Sequence, residues 1–343
     1  MATRHMAEAT PTPLVTTPCK VVDTANLTIS EYFGHVASKD GTCSFAVVEV
    51  SAADNAAFQT PAFAEYVICN EGIIELEHSD GEVIRVEPGQ GAFLPSKLRL
   101  RWRFPGPCNY TVVCKPAFSP ELAAHEESSG GTIVSAEARE RLKAMHQEAG
   151  SAPTEGGVAA AAEGSAAALR ATLVAPVNVV EAPGITIVEH FGHVSSRDGT
   201  ASLGVATVKE ASEEAWPNPN PNPNPNPTPI NPNPNPNPTH NPNQAWQCPQ
   251  FDEFVICAKG SIDFVYAGEG GAPTKVRVDA GQGVFLPKGL RVKWVWLEAC
   301  RYYVLCLPAF SPDLCGREAE EGATVAKDSA SMQRLEQMHA QTK

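Results

Sequence analysis

The side chains with chemical potential in this chain recur in pairs. Glu65 in "FQTPAFAEYVICNEG" and Glu253 in "QCPQFDEFVICAKG" each begin an apolar run that ends on a glycine, Gly72 and Gly260. Side chains alternate along a strand, so Val67 and Cys69 share the face of Glu65, and Val255 and Cys257 share that of Glu253. A carboxyl on an enclosed face loses hydration, which raises its pKa and makes it a general acid or a hydrogen-bond anchor. The plainer reading, a glutamate satisfied by its own scaffold, has equal weight, because buried polar groups are normally paired for structural reasons. His35 and His193 recur within "FGHV". One histidine per unit on an early strand reads first as structural; as a ligand it would complete a nonstandard divalent-metal site with Glu65 or Glu253. Cysteines recur as Cys69 and Cys257, Cys108 and Cys300, and Cys114 and Cys306. Without Cys-x2-Cys spacing they read as small buried hydrophobes.

The elements that must hold these residues are duplicated. "EYFGHVASKDGT" at Glu31 returns as "EHFGHVSSRDGT" at Glu189, "GQGAFLPSKLRLRW" at Gly89 as "GQGVFLPKGLRVKW" at Gly281, and "RLKAMH" at Arg141 as "RLEQMH" at Arg334. The changing offsets place an insertion in the second copy, the Asn-Pro tract at 217–243. Alternating proline can join neither a ladder nor a helix, so the tract is expected to be a solvated, disordered loop. Short apolar runs such as "CSFAVVEV", "VIRVEPGQGAFLP" and "NYTVVCKP", separated by Gly and Pro turns, predict an all-β fold with one barrel per copy. The expected division is a barrel over 20–148, an Ala/Gly-rich linker over 149–175 and a second barrel over 176–341. Each barrel is expected to close with a short helix packed on its outside, from Ser135 to Glu148 and from Ser329 to Gln341.

Bulk properties narrow the partners. A formal charge of −13 over 343 residues opposes nucleic acid or an anionic membrane as the main partner, since both call for a basic surface. No apolar run has the length of a membrane span and the N-terminus shows no signal-peptide core, so the expected home is cytoplasmic, with reduced thiols.

The spacing Glu65-x6-Gly72, repeated as Glu253-x6-Gly260, and the series Gly281, Pro287, Gly289, partly kept as Gly89 and Pro95, resemble the two motifs of the cupin superfamily. The chain resembles a bicupin, two jelly-roll barrels in tandem, and its "FDE" and "PKG" stretches are similar to the cupin domain of the ethanolamine-utilisation protein Q family. The resemblance implies that metal-binding imidazoles would fall near Phe58 and Thr60, and at Leu100 in one copy and Val292 in the other. None of these is a metal ligand, and in the second copy Cys248 is the one soft donor near the right place. A lone glutamate per barrel cannot hold the metal that cupins bind with imidazoles and a carboxylate. No cofactor is therefore expected, with a divalent metal ion as the alternative. If Leu100 takes the inward position, then Leu98, Trp102 and Phe104 point inward with it and Arg99, Arg101 and Arg103 point outward. The interior then offers Glu65, Leu100 and Trp102, or Glu253, Val292 and Trp294, to a small organic molecule. Three classes remain open: a metal-free small-molecule binder, a metalloenzyme with a divergent His/Glu/Cys site, and a structural or storage-type bicupin. Barrel-to-barrel packing within the chain is expected in each, and a homo-oligomer is compatible with all three.

Overall fold

The computed structural model describes residues 11–126, 135–150, 169–182, 184–209, 245–267, 272–319 and 329–342. The Asn-Pro tract at 217–243 and residues 151–168 of the expected linker lie outside the described residues.

Every strand pairing among the described residues is antiparallel, and the two copies build the same pair of opposed sheets. In the first copy a seven-stranded sheet runs, in spatial order, Thr172–Val174, Gly91–Leu94, Ala64–Glu71, Cys108–Lys115, Ser44–Val50, Leu27–Phe33 and Cys19–Asp23. A smaller sheet of Asp54–Asn55, Leu100–Phe104, Ile74–His78 and Val83–Val86 faces it. The second copy repeats the large sheet as Leu14–Thr16, Gly283–Leu286, Asp252–Lys259, Cys300–Leu307, Ser202–Val208, Ile185–Phe191 and Val177–Ala182. Its smaller sheet consists of Pro273–Asp279, Ser261–Ala267 and Val292–Val295.

The outermost strand of each large sheet comes from the other end of the chain's duplication. Leu14–Thr16, ahead of the first barrel, pairs with Gly283–Leu286 of the second, and Thr172–Val174, within the stretch read as linker, pairs with Gly91–Leu94 of the first. The reciprocal exchange covers both sheet edges, which would otherwise present unpaired amides and carbonyls. It is also the relation that a twofold axis between the copies produces.

The large sheets pack against each other through their outward faces. Phe33, Phe45, Tyr66 and Ile68 of the first copy join Phe191, Leu203, Phe254 and Tyr303 of the second in one buried cluster. Phe33 meets Phe254 edge to face at 5.3 Å between ring centroids, and Tyr66 meets Phe191 likewise at 5.3 Å. The Tyr66 hydroxyl donates across the seam to Asp198 Oδ2 at 2.9 Å. This seam explains why "EYVIC" and "EFVIC" are unbroken apolar runs: strands buried on both faces lose the inside-outside alternation.

The opposite faces enclose the barrel interiors, with Val67, Cys69, Leu76, Trp102 and Tyr110 in one core and Val255, Cys257, Phe264, Trp294 and Tyr302 in the other. As the alternation predicts, Leu98, Leu100, Trp102 and Phe104 are buried. The arginines between them face out: Arg101 makes a bidentate contact to Glu77 at 2.7 and 3.0 Å, and Arg99 one to Glu126 at 2.6 Å on both oxygens. The glycine ending each strand is required by its backbone. Gly72 has φ +75°, and a Cβ there would lie 2.2 Å from the carbonyl oxygen of Pro107.

Helices Ala136–Glu148 and Ala330–Ala340 start at the serine N-caps Ser135 and Ser329, whose hydroxyls accept from the amides of Ala138 and Met332. They do more than decorate the exterior. Leu142 and Leu335 enter the barrel cores, so each helix is a wall of its barrel. No helix among the described residues is long and apolar enough to cross a membrane.

Candidate functional site

The inward face of the first large sheet carries a polar band at one end and an apolar wall at the other. Glu65 stands opposite Cys114, which stands opposite Ser44, and Glu31 lies on the neighbouring strand one row along. Towards the far end the same face turns to Leu27, Val48 and Tyr110, and Trp102 and Phe104 of the smaller sheet face them. Between them lies a cavity of about 370 Å³, to which Gln59, Phe118, His125 and the helix residues Arg139 and Leu142 also contribute.

Glu65 is 8% exposed and receives no hydrogen bond or ion pair from the described residues. Loss of hydration alone raises its pKa to about 8. Glu253 is equally buried and is likewise raised to about 8 by desolvation, with the positive field of Arg317 acting in the opposite direction. It also has a partner: Gln247 Nε2 donates to its Oε2 at 3.4 Å, and Cys315 in turn donates to Gln247 Oε1 at 3.4 Å. The space beside Glu253 is about 80 Å³. Phe264, Trp296 and Met332 stand where the first copy has Leu76, Phe104 and Arg139, and all three are buried in the second core, so two larger rings and an apolar helix residue pack beside the smaller space. One fold thus holds an open chamber with an unpaired acid and a nearly filled one with a paired acid.

Several positions expected at the site fall elsewhere. Trp102 and Trp294 line their cavities, whereas Leu100 and Val292 are packed into the cores behind them. The residue facing the first cavity ahead of Glu65 is Gln59, held by a β-bridge to Leu100, not Phe58 or Thr60. Phe58 instead lies under the guanidinium groups of Arg99 and Arg101, 4.2 and 4.8 Å from its ring centre. Counting back along a strand fails here because the segment is irregular, held by isolated bridges from Gln59 to Leu100 and to His125 rather than by a continuous ladder. Cys248 also points away from the chamber, its thiol donating to the Gly289 carbonyl.

His35 and His193 do not join the glutamates. The ring of His35 packs on His146 at 5.8 Å, and His146 packs on Phe118 at 5.8 Å; His193, His339 and Phe310 repeat the stack at 5.5 and 6.0 Å. Burial lowers the pKa of His146 to about 4, so its ring is neutral. The recurrence of "FGHV" and "MH" is therefore a staple between a loop and the closing helix. Among the described residues no group of three or more His, Cys, Asp or Glu side chains is placed to hold a metal ion. The donor set of Glu65 or Glu253 with Gln, Leu or Val at the neighbouring positions does not fit a cupin metal.

Glu31 and Glu189 were not singled out by the sequence, although they open its longest repeat. Glu31 Oε1 accepts from the amides of Val36 and Ala37, both at 2.8 Å, and Glu189 Oε1 from those of Val194 and Ser195 at 2.9 and 2.7 Å. Gly34 makes the clamp possible, since a Cβ there would lie 2.6 Å from the Glu31 carboxyl. Burial raises the Glu31 pKa to about 7 against the lowering effect of the two amides. The signal that could have found it is the fixed spacing of Glu, Gly and the turn in both copies.

No protein-family profile matches the chain. A 74-residue stretch, 21% of the chain, is 36% identical to the endoribonuclease YbeY of Myxococcus xanthus, and the match spans about a quarter (24%) of that protein. Among solved structures, a tryptophan variant of oxalate decarboxylase from Bacillus subtilis superposes over 88% of this chain and 78% of its own, with a TM-score of 0.54 at 11% identity. An arginine variant of the same enzyme covers 89% of this chain and 79% of its own, with a TM-score of 0.56 at 10% identity. A third structure of it, described for its Mn(II) centres, has a TM-score of 0.54 at 10% identity, over 89% of this chain and 79% of its own. The fold is that of a bicupin.

Proposed function

We propose that the chain is a small-molecule-binding bicupin in which the first barrel is the working site and the second is a packed structural counterpart. The observation that carries the reading is Glu65, a buried carboxyl without a partner among the described residues, facing a cavity of about 370 Å³ in the barrel whose fold-mate is nearly filled. Ligand pockets are mostly apolar with a few polar groups that fix orientation, and this chamber has that composition. The ligand is a small organic molecule rather than nucleic acid or a membrane surface, which the charge of −13 supports. Cupin metal chemistry has no part in this reading, because the side chains around the glutamates are not metal ligands. The finer likeness to the ethanolamine-utilisation protein Q cupin rests on the "FDE" and "PKG" stretches.

Ligand-observed NMR with small aromatic and aliphatic fragments tests the reading. Saturable binding that disappears in Ala46→Leu, which fills the first cavity, supports it. Binding that survives this substitution, or no binding by any fragment, refutes it.

A further inference from the structure

The second barrel shows what the first one lacks. At equivalent positions each barrel has a buried glutamate, a glutamine bridged to the small sheet, and a residue bridged to that glutamine: Glu253, Gln247 and Arg317 in one, Glu65, Gln59 and His125 in the other. Arg317 projects positive charge onto Glu253, while burial and the nearby Arg139 lower the pKa of His125 and so disfavour a positive charge on that ring. Glu65 thus lacks the positive charge its counterpart feels and has open space beside it.

We infer that the first cavity takes an amphipathic amine, an ammonium head set against Glu65 and an aliphatic or aromatic body laid along Trp102, Phe104 and Tyr110. The inference rests on the proposed binding role of this cavity and names its ligand class. An ammonium supplies both what Arg317 and Gln247 give to Glu253: positive charge and hydrogen-bond donors. Aromatic faces favour a cation as well as an apolar body, and the rings of Trp102, Phe104 and Tyr110 stack on one another at 5.4 to 6.3 Å.

The other charged and titratable groups around the cavity are Glu31, Cys114, Tyr110, His125, Arg139 and Lys143. Glu31 adds a second acid. Cys114 and Tyr110 are kept protonated by burial. The two cations sit on the closing helix: Lys143 is exposed and paired with Glu140 at 2.9 Å, and Arg139 acts on His125, while Glu65 is shifted by desolvation alone. An anion would therefore find its charge partners on the closing helix and two carboxyls on the sheet. A cation finds the reverse, which decides between them.

At neutral pH binding is written as Glu65–COOH plus R–NH3⁺ giving the carboxylate–ammonium pair and one proton released to the buffer. The test is calorimetry of the full chain with benzylamine, benzyl alcohol and benzoate, three probes of similar shape and different charge, in buffers of different ionisation enthalpy. Benzylamine is expected to bind at least tenfold more tightly than the other two, with close to one proton released and an affinity that rises from about pH 6 to about pH 8. Glu65→Gln is expected to abolish the preference and the proton release, and Glu253→Gln to leave both unchanged. Equal binding of all three probes, tighter binding of benzoate, or amine binding without proton release overturns the amine assignment while the cavity remains a binding site. Failure of all three to bind overturns the cavity reading as well. Because proton release is measured on the wild-type protein, a Glu65→Gln variant that does not fold still leaves the inference open to refutation.

Discussion

Replacing Glu65 by glutamine removes a titration without removing the side chain's shape, and the consequence can be worked out from its surroundings. In the folded protein burial raises the carboxyl from an ordinary 4.5 to about 8. Between those values the folded chain keeps a proton that the unfolded chain gives up, so wild-type stability falls as pH rises through this window. It is greatest below the unfolded pKa and levels off above the folded one. At about 1.36 kcal/mol per pKa unit, the loss between about pH 5 and about pH 8 is about 3 kcal/mol. The glutamine variant has no such term, and Glu31, Glu189 and Glu253 titrate in both proteins and largely cancel in the difference. Chemical denaturation of both proteins at several pH values across this range should therefore show the variant gaining on the wild type by about 3 kcal/mol. Parallel stability curves would mean that Glu65 is solvated or internally paired. That result would remove the basis for both the cavity reading and the amine inference.

Three other outcomes follow from the packing. Introducing the second barrel's residues into the first as Leu76→Phe, Phe104→Trp and Arg139→Met should abolish probe binding while raising stability by roughly 1 kcal/mol, read by titration and thermal melting. Gly72→Ala should cost about 2 kcal/mol or more in denaturant midpoint, because a side chain at φ +75° is strained and its Cβ meets the Pro107 carbonyl. Deleting residues 1–17 should destabilise the second barrel more than the first, since Leu14–Thr16 covers the edge strand Gly283–Leu286; hydrogen exchange at Val284 against that at Ala92 reports the difference.

Much of this architecture was legible in the chain because it depends on local rules. The duplication, the positive-φ glycines after Glu65 and Glu253, the serine-capped helices and the outward stripe of Arg99, Arg101 and Arg103 follow from repeated strings, steric limits on φ and the two-residue period of a strand. The same period put Val67 and Cys69 on the face of Glu65, and Val255 and Cys257 on that of Glu253, while the resemblance to cupins implied that this face lines the barrel. The tertiary structure decided what lies around them. Gln59 rather than Phe58 or Thr60 faces the cavity because an irregular segment is fixed by isolated bridges to Leu100 and His125, which no periodicity anticipates. His35 recurs because it meets His146, more than a hundred residues away, and Thr172–Val174 becomes a strand only because an edge of the first sheet is there to receive it. The difference between an open chamber and a nearly filled one lies in how side chains from strands and a helix distant in sequence pack together. Two barrels with the same motif therefore differ in capacity, and whether a buried glutamate has a partner is settled by that packing.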